Sequence, residues 1–123
     1  MGGYTAQSIG QIQSWTMTWT GFSSNPTATL QYSRTGKLCY FSIARSANGV
    51  SNAAATTVTL PFDADSVDEQ LIPIQLVSNG VNQAGFLRTR TGTNIADILL
   101  ADLTNPAASN AKAIQGNGFY ITT

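Results

Sequence analysis

Few side chains in this 123-residue chain could do chemistry, and histidine is absent. That removes the commonest general base and metal ligand together. Serines are plentiful, but none has a histidine or a lysine-centred motif to activate it. The acidic residues gather in "FDADSVDEQ", as Asp63, Asp65, Asp68 and Glu69. Alternating acids in a loop suit calcium, which takes about six to eight oxygens. The spacing departs from the helix–loop–helix calcium loop, because Val67 stands where an oxygen is needed and no later glutamate follows. The loop 63–69 therefore reads as a solvated loop, with calcium the open alternative, and no metal ligand is assigned. These acids sit too close together to flank a sugar as a glycosidase pair, and Asp97 and Asp102 carry no recognisable signature.

Arg88 and Arg90, in "FLRTRTG", fall on one strand face. They suit a phosphate, a carboxylate or the acidic loop of a neighbouring copy, or else form a solvated face. Trp15 and Trp19 share a strand face with Met17 between them, as a sugar-stacking platform or as core, and core is expected. Asn48-Gly49 and Asn79-Gly80 are turn dipeptides without the repeated spacing of a phosphate loop. Cys39, in "KLCYFSI", has no cysteine partner for a disulfide or a zinc site and reads as a small buried hydrophobe. No catalytic or cofactor-binding residue and no cofactor is assigned, and an enzyme is the least expected class.

The elements that must position these residues are strands, because period-2 alternation recurs and helical periodicity does not. "SWTMTW" sets Trp15, Met17 and Trp19 against Thr16, Thr18 and Thr20. "TATLQYS" points Ala28, Leu30 and Tyr32 inward. Gly36 then turns the chain into "KLCYFSIAR", which is apolar on both faces and expected to be covered on both. Asn48-Gly49 is expected to make a hairpin. "ATTVTLPF" follows, half-buried through Val58 and Leu60, and Pro61 ends it or confines it to an edge. "QLIPIQLVS" carries Pro73, a sign of an edge or bulge. Turns at Asn79-Gly80 and at 91–94 lead into "AGFLRTRT" and "IADILLAD". A loop with Asn105-Pro106 has room for one helical turn, and "GNGFYITT" closes the chain. About eight short strands at this spacing predict an all-β, two-sheet antiparallel sandwich, most simply a jelly roll. An immunoglobulin-like sandwich is the runner-up, without its Cys…Trp…Cys framework.

Residues 1–14 are polar and aperiodic and read as an arm or linker, either disordered or ordered on a neighbouring subunit. Residues 15–123 form the single predicted β-domain. Charged residues make up 10% of the chain and formal net charge is zero. That argues against nucleic acid, which needs a basic face, and leaves little repulsion between copies. No stretch nears the ~18–20 apolar residues of a membrane helix, and the start lacks a secretory signal's basic and apolar regions. A neutral surface rich in Thr, Asn and Ser suits self-association or hydrogen bonding to sugars.

The order of Asn25-Pro26-Thr27, Tyr32 through Gly36-Lys37, Gly49-Val50-Ser51-Asn52, Leu60-Pro61-Phe62 and Gly118-Phe119-Tyr120 resembles small β-sandwich domains of tailed-phage virion proteins. These are of the capsid-decoration and fibre-tip kinds, and the resemblance spans residues 15–123. It implies a jelly roll or related sandwich, a homotrimer, no catalysis and no cofactor, and it carries over no functional residue. The expected place is the virion exterior, after synthesis in the host cytoplasm. The length favours a capsid decoration or cement protein bound to the major capsid protein or another virion protein, since a fibre needs a shaft. The alternatives are a tail-fibre or receptor-binding tip, or a carbohydrate-binding module with a host-surface glycan as partner.

Overall fold

A computed structural model describes residues 11–53, 55–108 and 111–123. The strands are β1 (Gln13–Thr20), β2 (Thr27–Thr35), β3 (Leu38–Val50), β4 (Thr57–Thr59), β5 (Leu71–Ser78), β6 (Val81–Thr89), β7 (Ile95–Leu100) and β8 (Ala111–Ile121). Every neighbouring pair is antiparallel, and the strands close into one barrel in the order β1-β2-β3-β8-β5-β6-β7-β4.

The expected two-sheet sandwich, and with it the jelly roll, is thereby overturned. Alternation fixes which side chains face inward, and a sandwich and a barrel bury the same face. The difference lies at two seams. Between β1 and β4, Trp19 pairs with Val58 and Thr20 with Thr57. Thr59 then extends this short ladder through its side chain, accepting from the Thr18 amide at 2.9 Å, while its carbonyl accepts from Trp15 Nε1 at 3.1 Å. Between β5 and β8 the ladder runs only from Gln75↔Gln115 to Ser78↔Lys112. Beyond it the Gln70 carboxamide takes the place of a strand, its Oε1 accepting from the Ile121 amide at 2.6 Å and its Nε2 donating to the Ile121 carbonyl at 2.9 Å. At both seams a side chain thus takes over where the strand ladder stops.

The core is the inner face of all eight strands, including Met17, Trp19, Cys39, Val58, Leu76, Leu87, Ile98, Ile114 and Tyr120. Edge-to-face rings run through it: Trp15 against Phe41 at 6.2 Å and against Tyr32 at 6.3 Å, then Tyr32 against Phe62 at 5.2 Å. Arg34 closes this end, its guanidinium 4.2 Å from the Phe62 ring centroid and its Nη2 donating to Thr122 Oγ1 at 3.0 Å.

Asn79 and Gly80, both at positive φ, make the expected two-residue hairpin between Ser78 and Val81. Asn48-Gly49 does not turn. The β3 ladder continues through it, pairing Asn48 with Lys112 across a register irregularity, because a partner strand is at hand to hold the chain extended. β4 stops at Thr59, two residues before Pro61. Pro73 pairs with Phe86 on one side, in the half of β5 that has no ladder to β8 on the other, so its missing N–H is tolerated. The described residues of the Asn105-Pro106 loop contain no helical turn. Of the predicted arm, Gln13 and Ser14 already belong to β1, paired with Tyr32 and Gln31. Residues 1–10 lie outside the described residues.

Candidate functional site: an outer-face aromatic groove

β3 runs between β2 and β8, so it is central as expected, but its outer face is exposed at Tyr40, Ser42 and Ala44. Tyr40, expected to be buried on that face, is 49% exposed. It stands opposite Phe119 in the β3–β8 ladder, and Phe119 is 59% exposed. Their rings lie 5.8 Å apart at an interplanar angle of 50°. Two large aromatic side chains held in water by adjacent strands are unusual, since burial of such a ring is worth roughly 2–3 kcal/mol.

The interior explains why Phe119 faces out. Gly116, Gly118 and Tyr120 occupy the inward phase of β8, which Thr122 continues just past its end. A Cβ on Gly118 would lie 2.5 Å from Ile72 Cγ2 and 3.2 Å from Phe41 Cζ. The inner side of β8 is therefore pressed against Ile72 and Phe41, and the bulky side chains take the outer side.

Around the pair lies an open groove of about 380 Å³ lined by Ile12, Gln31, Tyr32, Ser33, Tyr40, Phe41, Ser42, Asn117, Gly118 and Phe119. The strand register sets its rows: Ser33 beside Tyr40 beside Phe119, and Gln31 beside Ser42 beside Asn117. No described residue of the lining is charged. The side chains of Gln31, Ser42 and Asn117 have no hydrogen-bond partner among the described residues, which leaves amides and a hydroxyl free beside the rings. An apolar floor with a few free polar groups is the usual composition of a small-ligand or glycan site.

The residues singled out from sequence lie elsewhere. Trp15 (9% exposed) and Trp19 (0%) are core, so the tryptophan platform does not form. Arg88 and Arg90 pair within their own chain. Arg90 Nη2 lies 2.7 Å from Asp97 Oδ1, while Arg88 lies 3.5 Å from Glu69 and 4.0 Å from Asp97. Asp97 is thus the shared counter-ion of two arginines. Asp102 caps a turn, accepting from the Thr104 amide at 3.1 Å and from the Thr104 hydroxyl, and these bonds hold its carboxyl below its ordinary value. The loop holding Asp63, Asp65 and Asp68 is tied across the barrel end through its backbone. There the Asp65 amide donates to the Ile121 carbonyl at 2.9 Å and the Asp63 carbonyl accepts from Thr123 at 3.1 Å. Among the described residues no three His, Cys, Asp or Glu side chains are placed to hold a metal ion. Cys39 is buried as expected, and burial pushes its thiol up. Tyr120, pushed up by its burial, spends its hydroxyl on the backbone of Phe62.

The groove residues were missed because the alternation "NGFYITT" does not say which half faces in. The signal was Gly116-x-Gly118, in phase with Tyr120: small residues mark the crowded side, so Asn117 and Phe119 must face out.

No family model matches the chain, and no curated protein matches it. Among solved structures it is similar to the reovirus attachment protein sigma1, solved in complex with alpha-2,3-sialyllactose, at 11% identity and a TM-score of 0.51. That match covers 90% of this chain and 64% of the sigma1 chain, so the present chain spans less than two thirds of that neighbour. It is also similar to the carboxy-terminal domain of the turkey type 3 siadenovirus fibre. The avirulent form, complexed with 3-sialyllactose, gives 9% identity and a TM-score of 0.48, and the virulent form gives 10% and 0.49. Each of these covers 90% of this chain and 99% of the fibre domain. At 11% identity the likeness to sigma1 is one of fold alone, and that fold is a closed antiparallel barrel rather than the sandwich that the resemblance to tailed-phage domains implied.

Proposed function

We propose that this chain is a non-enzymatic attachment domain on a virion exterior, of the fibre-tip kind, which contacts a host-surface glycan through the groove of β2, β3 and β8. The observation that carries the reading is the exposed Tyr40–Phe119 pair with free Gln31, Ser42 and Asn117 beside it. Rings of this kind stack on the C–H face of a sugar while amides and hydroxyls take its hydroxyl groups. The barrel supports the reading by likeness, since the sigma1 structure is an attachment protein in complex with a sialylated sugar. The same likeness favours attachment over capsid decoration. A tailed-phage source rests on the sequence resemblance alone. Self-association as a homotrimer belongs to this reading. It is supported by zero formal net charge and by the apolar residues Val67 and Val81, exposed away from the groove.

The test is a glycan array probed with the labelled chain and with a Tyr40→Ala/Phe119→Ala double variant. Binding to a restricted set of glycans, lost in the double variant while its melting temperature stays within a few degrees, is expected. A folded chain that binds no glycan, or a double variant that binds as well, contradicts it. Light scattering on the eluted chain should give three times the 13.0 kDa of one chain, and a strict monomer removes the trimer.

A further inference from the structure

We infer that the groove selects an uncharged pyranose and discriminates against the acidic form of the same sugar. This rests on the attachment reading above and names the ligand class of that site.

Recognition of a sugar carboxylate draws on a cation, because a desolvated carboxylate left without a charged partner is heavily penalised. The described lining offers none. Among the described side chains, none of Arg34, Lys37, Arg88, Arg90 and Lys112 lines the groove. Arg34 is turned to the opposite face of β2, over Phe62 and bonded to Thr122. Arg88 and Arg90 are committed to Glu69 and Asp97 on the far side of the barrel. Lys112 is buried, at 1% exposure.

What the groove does offer is matched to a neutral polyol. Tyr40 and Phe119 give an apolar patch wide enough for one pyranose face, and the amides of Gln31 and Asn117 can each donate to and accept from hydroxyls. Carboxamides and hydroxyls carry no net charge, so they return little for the hydration an anion gives up. A site of this make-up holds the neutral sugar and leaves the acidic one in water.

The experiment compares matched sugars that differ only at C6. The isotope-labelled chain is titrated with the methyl glycosides of glucose, galactose and mannose, and with the corresponding methyl uronates, while amide shifts of β2, β3 and β8 are followed. The account expects at least one neutral glycoside to bind at the groove about tenfold or more tighter than its uronate. It also expects Asn117→Lys, on an exposed position, to shrink that ratio severalfold by supplying the missing cation. A uronate binding at the groove as tightly as its neutral partner overturns the selectivity and leaves the attachment reading standing. No groove shift with any sugar of either kind overturns both.

Discussion

One hydroxyl fastens Tyr120 to both backbone polar groups of Phe62: the Phe62 amide donates to Tyr120 Oη at 2.9 Å, and Tyr120 Oη donates to the Phe62 carbonyl at 3.0 Å. Tyr120 is fully buried in β8, so this contact ties the loop after β4 to the barrel interior. Tyr120→Phe leaves those two groups without their partner and is expected to lower stability by about 1–3 kcal/mol in urea unfolding near neutral pH.

The same pair gives a pH dependence. Burial raises the Tyr120 phenol above its ordinary 10.0, so below that value its contribution is fully present. Above it the unfolded chain gives up a proton that the folded chain keeps, and stability falls as pH rises. Cys39, raised from 9.0 by burial, acts in the same direction, whereas Lys112, lowered from 10.5 by burial, acts in the opposite one. The Tyr120→Phe variant removes the tyrosine's own titration together with its contact to the Cys39 thiol. The stability gap between wild type and variant should narrow between about pH 8 and about pH 11, and a constant gap would count against the assignment.

Gln70→Ala tests how the barrel closes. The carboxamide is the bridge between the start of β5 and the end of β8, and losing both of its bonds to Ile121 should cost about 1–3 kcal/mol. Hydrogen exchange at the Ile121 amide should speed up selectively, while the Leu76 amide, inside the β5–β8 ladder, keeps its protection.

Gly118→Ala places a methyl group 2.5 Å from Ile72 Cγ2, a β-branched side chain with little freedom to turn away. An overpacking loss of about 1–3 kcal/mol is expected, with reduced sugar binding, because β8 must shift outward beneath Phe119. Calorimetry and the glycan titration read the two effects separately.

Asp97→Asn removes the carboxylate shared by Arg88 and Arg90. Both arginines stay partly exposed, so the loss should be at most about 1 kcal/mol and smaller at high salt, with glycan binding unchanged. A binding defect in this variant would move the site away from the groove.

The strands were legible because alternation is local: Trp15, Met17 and Trp19 inward with the threonines outward is a property of eight residues of β1. The closure was not, because it depends on meetings such as Gln70 with Ile121 and Thr59 with Thr18, and no local pattern marks a side chain that substitutes for a strand. Asn48-Gly49 failed for a related reason: a strong turn dipeptide stays extended when β8 offers it a ladder. The groove was half legible. Its polar residues are ordinary, and only the inward glycines at 116 and 118 betray that Phe119 stands in water.

The most direct test of the account is to map where a sugar touches the protein. Amide shifts during titration with a glycan selected on the array should concentrate on Gln31 through Ser33, Tyr40 through Ser42 and Asn117 through Phe119, and should vanish in Tyr40→Ala/Phe119→Ala. Shifts centred on the 61–70 loop or on the Arg88–Asp97 face, or none at saturating sugar, would contradict it.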